Sequence, residues 1–132
     1  MMFSLQMKVR DYECDVQGVV NNARYLHYFE HARHEWLHEM GIDFASLAKD
    51  GLHLMLRRVE VDYRQPLRPG EVFTVHSRLL SGGRAKVIFE QWIERDGSLC
   101  VSSRSEAVVV RNGRPQAFGK HPELALLVGV AE

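Results

Sequence analysis

Residues 11–40, DYECDVQGVVNNARYLHYFEHARHEWLHEM, decide the fold. From Asn22 to about Met40, at about 100° per residue, apolar side chains gather on one broad arc of a helical wheel. The members of this arc are Tyr25, Leu26, Phe29, Ala32, Trp36, Leu37 and Met40. Asn21 or Asn22 offers an N-cap side chain, and Gly41 suits the residue after a helix end. The stretch therefore predicts one long helix with a buried apolar face.

The residues before the helix predict a strand and a loop. Apolar and polar side chains alternate through residues 3–10, a period of two that is typical of a half-buried strand. Residues 11–18 are mostly polar and end in Gly18, so the strand gives way to a loop there.

The residues after the helix predict mainly strands. A short helix over 44–49 comes first, followed by strands over 52–63, 72–80, 85–94 and 99–111. Pro66, Pro69 and Gly70 force a turn, residues 81–84 suit a hairpin, and Asp96-Gly97 is a type I′ signal. We expect the last four strands to form an antiparallel meander beside the long helix, an α+β arrangement. Pro122, Leu124, Leu126 and Leu127 predict a short helix in the tail.

Composition narrows the possible functions. The 132 residues include 17 Lys plus Arg and 17 Asp plus Glu, so the net charge is zero and a nucleic-acid partner is not expected. No apolar run approaches the roughly 20 residues that span a bilayer, and residues 1–10 do not resemble a signal peptide. Cys14 and Cys100 lack metal-ligand spacing and suit free thiols. We expect one domain over 1–132, located in the cytoplasm, with no membrane, metal or cofactor.

Two segments carry a family resemblance. The segment DYECDVQGVVNNARYLHYFEHAR, residues 11–33, resembles the active-site region of the 4-hydroxybenzoyl-CoA thioesterase family. The segment VEVDYRQPLRPGE, residues 59–71, resembles the second hallmark of that family. Together with the order of elements, the likeness covers nearly the whole chain.

The resemblance implies a hotdog fold, in which an antiparallel sheet of about five strands wraps the long helix. It also implies a homodimer at least, and a homotetramer as the expected assembly, with active sites between subunits. The catalytic aspartate of the family matches Asp15, and its carbonyl-polarising backbone amide matches Asn22. The substrate implied is an acyl-CoA, although the Val-Asn-Asn pattern at residues 20–22 also occurs in acyl-carrier-protein thioesterases.

The residue types suit thioester hydrolysis. Asp15 can attack the carbonyl or activate water, and the first amides of a helix lack intrahelical acceptors and favour negative charge. Gly18 permits a tight turn and close approach of an acyl group. The residues expected to bind substrate are Val19, Val20, Tyr25, Val59, Arg84 and Lys86, of which the last two suit the phosphates of the carrier.

Several side chains have competing interpretations. Glu30 is a candidate second acid or base, but an ion pair with Arg33 or His34 is the simpler role. His27, His31, His34 and His38 form a helical stripe that suits solvent or a subunit contact better than a metal. Cys14 is a weak candidate nucleophile beside Asp15. A non-catalytic acyl-CoA binding module remains the alternative outside the enzymes.

Overall fold

The computed structural model describes residues 2–122, 124, 125 and 127. The helices and strands, in chain order, are β1 Met2–Lys8, α1 Asn22–Glu39, α2 Phe44–Lys49, β2 Leu52–Tyr63, β3 Val72–Ser81, β4 Lys86–Arg95, β5 Ser98–Arg111 and β6 Arg114–Gln116. Single 3₁₀ turns occupy Asp11–Glu13 and Phe118–Lys120. Long helix and antiparallel sheet together confirm the predicted α+β arrangement.

The order of strands in the sheet is β1-β3-β4-β5-β2, and β6 pairs with the end of β5. The hairpins β3–β4 and β4–β5 confirm three consecutive antiparallel strands. The predicted four-strand meander was wrong at β2, which pairs with β5 rather than with β3. Residues 64–71 connect β2 to β3 and pack under the start of α1, where Leu67 is completely buried. A connection of this length carries the chain from one edge of the sheet to the other.

The turns follow the dipeptide signals. Asp96 and Gly97 both have positive φ, as a type I′ turn requires, and they join β4 to β5. Asn112 and Gly113 adopt the same conformation and lead into β6, a strand that the sequence analysis did not anticipate. Residues 122, 124, 125 and 127 are helical, as predicted, whereas Leu126 lies outside the described residues.

Helix α1 packs on the sheet through a face that is rotated slightly from the predicted arc. Tyr25, Phe29, Ala32, Trp36 and Leu37 are buried, as expected. Leu26 was assigned wrongly to the buried face, because it is 41% exposed, and Met40 is only half-buried. Tyr28 and Arg33 are buried instead. The contact face follows the spacing i, i+3, i+4 from Tyr25, which places Leu26 on the adjacent stripe.

Strand β2 forms one of the two edges of the sheet, and most of its side chains are exposed. Its helix-facing side chains alternate as Leu54, Leu56, Val59, Val61 and Tyr63, with a bulge between Leu56 and Arg58. Leu56, Val59 and Tyr63 are 39%, 40% and 49% exposed, so α1 leaves this part of the sheet uncovered. A long apolar edge without a neighbour is a surface that proteins normally cover.

Candidate active site

The loop between β1 and α1 folds into a compact turn at Asp15. The amide of Asp15 donates to the carbonyl of Val19 at 2.9 Å, and the amide of Gly18 donates to the carbonyl of Asp15 at 3.0 Å. Gly18 has a φ of +76°, a conformation that other residues adopt only with strain. This φ fits the predicted tight turn at Gly18, whereas the close approach of an acyl group stays a prediction.

The carboxylate of Asp15 is exposed at the edge of this turn. Its Oδ1 accepts a hydrogen bond of 2.8 Å from the amide of Gln17, which fixes the side chain against its own loop. The described residues supply no hydrogen bond to Oδ2 and no ion pair to Asp15. One carboxylate oxygen thus keeps its lone pairs available to a water molecule or a substrate.

The first turn of α1 presents an amide without an acceptor. Asn21 is the N-cap, and its side-chain oxygen accepts from the amide of Ala23 at 3.0 Å. The amide of Arg24 donates to the carbonyl of Asn21. Among the described residues no acceptor faces the amide of Asn22, which is an exposed residue. Its N–H is therefore the donor that the start of the helix leaves free.

Backbone pairing brings the loop back beside the helix start. Cys14 and Val20 form an antiparallel bridge, and the amide of Asn21 donates to the carbonyl of Glu13 at 3.1 Å. Asp15 lies two residues beyond Glu13, which corresponds to about 7 Å along an extended chain. Asp15 and Asn22 consequently belong to one small hydrogen-bonded unit.

Buried groups that the sequence analysis missed support this unit from below. Glu13 is 6% exposed and accepts from the hydroxyl of Tyr28 at 2.9 Å and from the amide of Arg10 at 2.8 Å. Burial, together with the bond to Glu13, raises the pKa of Tyr28. Tyr28 follows Tyr25 by three positions and so shares its helix face, which was the available signal for its burial.

Two of the residues predicted to bind substrate are buried and bonded to the connection between β2 and β3. Val20 and Tyr25 are each 2% exposed, and both are hydrogen-bonded to Leu67. The amide of Val20 donates to the carbonyl of Leu67, and the amide of Leu67 donates to the hydroxyl of Tyr25. Val19 is half-buried in the loop, and Val59 is exposed on β2. Tyr63, which the sequence analysis did not single out, donates from its hydroxyl to the carbonyl of Asn22 at 3.2 Å. This bond joins β2 to the helix start.

Arg84 and Lys86 lie at the far end of the sheet from Asp15 in the same chain. The first loop packs beside the start of β3, whereas Arg84 comes after the end of β3. The strand is ten residues long, which corresponds to about 33 Å. Lys86 pairs with Glu106 at 3.4 Å, and the carbonyl of Arg84 accepts from the amide of Phe118. One protomer does not bring these cations to its own Asp15.

Residues 9–125 match the model of the thioesterase-like superfamily. The chain belongs to the thioesterase-like superfamily. An acyl-CoA thioesterase of Haemophilus influenzae is 28% identical over 126 residues, 93% of each chain. A chloroplastic acyl-acyl carrier protein thioesterase of Arabidopsis thaliana is 39% identical over 89 residues, 67% of this chain. The chain spans about half the length, 47%, of that plant relative.

Solved structures show the same fold for this member of the superfamily. A hypothetical protein from Aquifex aeolicus superimposes with a TM-score of 0.87 at 27% identity, over 98% of this chain and 99% of that one. A 1,4-dihydroxy-2-naphthoyl-CoA thioesterase from Synechocystis gives 0.91 at 15% identity, over 98% and 96%. The predicted hotdog fold is thereby confirmed.

The structure argues against two of the alternative roles, a nucleophilic Cys14 and an ion pair of Glu30. Burial, with the nearby carboxylates of Asp11 and Glu13, raises the pKa of the Cys14 thiol, which disfavours the thiolate that nucleophilic attack requires. The expected ion pair of Glu30 with Arg33 or His34 was wrong, because no such pair forms between these residues. Glu30 is exposed in the middle of α1.

The histidine stripe is exposed in the isolated chain, which fits either solvent or a subunit contact. His27, His31, His34 and His38 are all exposed. Within the part of the chain that the structure describes, no three His, Cys, Asp or Glu side chains are close enough to hold a metal ion. In the same part of the chain, no helix is both long and apolar enough to cross a bilayer.

Proposed function

We propose that the chain is an acyl-CoA thioesterase of the 4-hydroxybenzoyl-CoA thioesterase type, which hydrolyses an acyl-CoA to a carboxylic acid and free CoA. The proposal rests on one observation. A single hydrogen-bonded unit contains both a free carboxylate oxygen, on Asp15, and a free backbone N–H, on Asn22. The superfamily match and the acyl-CoA thioesterase relative support the reaction.

The chemistry follows from these two groups. The Asn22 amide, reinforced by the helix dipole, donates to the thioester carbonyl oxygen and stabilises the negative charge that develops there. Asp15 either attacks the carbonyl carbon to give a mixed anhydride, which water then hydrolyses, or removes a proton from the water that attacks. Both routes expel the CoA thiolate, which takes up a proton. Label in Asp15 after a single turnover in isotopically labelled water would identify the anhydride route with attack of water on the Asp15 carbonyl, because the general-base route places all of the label in the product acid.

An acyl-carrier-protein thioesterase is the second candidate. It is favoured by the plant relatives, of which the first is 39% identical to this chain over the aligned residues. The catalytic unit would be unchanged, since only the carrier beyond the sulfur differs. A non-catalytic acyl-CoA binding module is the third candidate, and it would have no need of the free carboxylate oxygen of Asp15.

The proposal includes a homodimer at least, and a homotetramer as the expected assembly. Three features of the isolated chain support association: an open β2 edge, exposed apolar side chains along it, and a fully exposed Val16 beside Asp15. A partner subunit at β2 would also cover the start of α1, where the Asn22 carbonyl accepts from Tyr63. Cytoplasmic residence is also part of the proposal, and the free thiols of Cys14 and Cys100 fit a reducing compartment.

The test is a thiol-release assay across short, long and aromatic acyl-CoAs and the matching acyl-carrier proteins. We expect Asp15→Asn to lower turnover at least about 100-fold with an unchanged thermal unfolding midpoint. Asp11→Asn is the matched control, because Asp11 is an exposed carboxylate of the same loop, and it should keep wild-type turnover.

The outcomes separate the three candidates. Faster release from the carrier protein than from CoA would select the second candidate. Tight binding of acyl-CoA without release from any substrate would select the third. Turnover of Asp15→Asn close to that of the wild type would remove Asp15 from the mechanism.

A further inference from the structure

A cavity of about 230 Å³ lies between the middle of α1 and strand β2. Glu30, Arg33 and Leu37 line it from the helix, and Leu54 and Leu56 line it from the strand. Phe89 and Ala107 of the neighbouring strands complete the apolar part of the wall. The wall of the cavity is thus part polar and part apolar, and it includes the guanidinium of Arg33.

Arg33 is buried without a counter-ion. Its residue is 8% exposed, its Nη1 donates to Gln91 Oε1 at 3.0 Å, and its guanidinium carbon lies 6.0 Å from the centre of the Phe89 ring. No described carboxylate forms an ion pair with it, and no other described acceptor receives its N–H groups. A guanidinium has five N–H donors and no acceptor, so most of its hydrogen-bonding capacity is unused.

A buried charge of this kind is unfavourable unless something pairs with it. Burial lowers the pKa of Arg33 to about 10, so the side chain still carries its charge at neutral pH. Glu30 also lines the cavity, but it is exposed and makes no ion pair with Arg33. His34, the other titratable neighbour, places its ring against Phe44, 5.3 Å between centroids.

Two serine hydroxyls add to the unused polar capacity. Ser105 faces α1 from β5, directly opposite Phe89 and two residues from Ala107, both of which line the cavity. Ser103 is the next residue on the same face. The hydroxyl oxygens of Ser103 and Ser105 are buried and have no hydrogen-bond partner among the described residues. These two serines do not line the cavity, so the polar group that a ligand in the cavity can reach is the Arg33 guanidinium. Buried polar groups normally use their hydrogen-bonding capacity, and Arg33 uses little of it.

Exposed apolar side chains lie between the candidate active site and this cavity, in the groove between α1 and β2. Asn22, Leu26, Glu30, Arg33 and Leu37 share one stripe of α1, because they are three or four residues apart. Strand β2 runs beside that stripe in the opposite direction, from Tyr63 at the Asn22 carbonyl to Leu56 and Leu54 at the cavity.

The groove is long and apolar. Leu26, Leu56 and Val59, along its path, are 41%, 39% and 40% exposed. Eleven residues separate Asn22 from Arg33, which corresponds to about 16 Å along the helix axis.

We propose that this groove binds the acyl chain and that Arg33 recognises an oxygen acceptor at its far end, so that the protein prefers acyl thioesters that end in a carboxylate. This inference rests on the proposed thioesterase function. Any acyl chain that ends in an oxygen can accept a hydrogen bond from an N–H of Arg33. A carboxylate fits best because it accepts two parallel bonds and neutralises the buried charge.

The experiment compares acyl-CoAs of equal chain length, long enough to cover about 16 Å, that end in a carboxylate, a hydroxyl or a methyl group. We expect kcat/KM of the wild type to be about tenfold or more higher for the carboxylate than for the methyl end. Arg33→Gln should abolish this preference, because glutamine has neither the charge nor the paired donors of a guanidinium. Arg33→Lys should keep part of it, because the charge remains but the two parallel donors are lost.

Arg24→Gln is the matched control, since Arg24 is a half-exposed arginine of the same helix that does not line the cavity. It should retain the full preference. Equal or faster hydrolysis of the methyl-ended substrate by the wild type would overturn the proposal, whether or not the Arg33 variants fold. A preference for the hydroxyl over the carboxylate would overturn the carboxylate assignment.

Failure of the proposed function gives a different result. If the wild type releases no thiol from any substrate, calorimetry with non-hydrolysable thioether analogues of the same three compounds still measures the preference of the cavity. About tenfold tighter binding of the carboxylate analogue would then support the cavity assignment without catalysis, and equal binding would refute it.

Discussion

The first loop and the middle of α1 hold their polar groups in opposite ways. In the loop, Asp15 is exposed, and among the described residues its carboxylate accepts a hydrogen bond only from the amide of Gln17, two positions further on. At mid-helix, Gln91 is 1% exposed and joins three elements, because it accepts from Arg33 and donates to the Phe29 carbonyl and the Ser77 hydroxyl, each at 3.0 Å. The loop can change chemically at little cost to folding, whereas the buried network cannot.

The sharpest test of this contrast makes the same substitution in both regions. Gln91→Leu removes the acceptor of Arg33 and the donor to Phe29 and Ser77, which leaves buried polar groups without partners. We expect it to lower the free energy of unfolding by about 3 kcal/mol in urea denaturation. Gln17→Leu, in the exposed loop, should change it by less than about 0.5 kcal/mol. Similar losses in the two variants would contradict the contrast.

A tyrosine pair gives the next largest difference. Tyr28→Phe removes the buried hydrogen bond to Glu13, and we expect a loss of about 1.5 kcal/mol in the free energy of unfolding, because the acceptor is a buried carboxylate. Tyr12 is 68% exposed, so Tyr12→Phe should leave the unfolding curve unchanged. If Tyr28→Phe unfolds like the wild type, Glu13 has another donor in solution.

A glycine pair gives the smallest difference and isolates backbone strain. At Gly18 an added Cβ would meet no atom within 4 Å, so the effect of Gly18→Ala comes from its φ of +76° alone. We expect a loss of about 1 kcal/mol in thermal or urea unfolding. Gly119 also has open space around it but no positive φ, and Gly119→Ala should be close to neutral. Equal effects at both positions would show that the loop relaxes.

The elements that the sequence predicted correctly depend on neighbours in the chain. The span of α1, the glycine at position 18 and the Asp96-Gly97 turn all follow from periodicity or local conformational preference. The wrong assignment of Leu26 to the buried face has a cause that lies outside the helix. A helical wheel gives a broad apolar stripe, but the width that is buried depends on which strands lie beneath it, and β2 lies to one side.

The candidate site divides in the same way. The loop with Asp15 and the helix start at Asn22 are seven residues apart and were anticipated together. Gln91, Ser103 and Tyr63 were not, because each comes from a distant part of the chain and reaches α1 only through the pairing of strands. Arg84 and Lys86 were grouped with Asp15 by charge alone, and the length of β3 separates them from it.

The sequence by itself determined the long helix, the glycine-dependent turn before it and the strands after it, since these are set by interactions between residues close in the chain. Only the tertiary structure decided that β2 crosses to β5, that Arg33 is buried with no ion pair to a carboxylate of the described residues, and that exposed apolar side chains of β2 lie between it and Asn22. These features arise from contacts between residues far apart in sequence, and a local pattern carries no information about which distant strand will cover it.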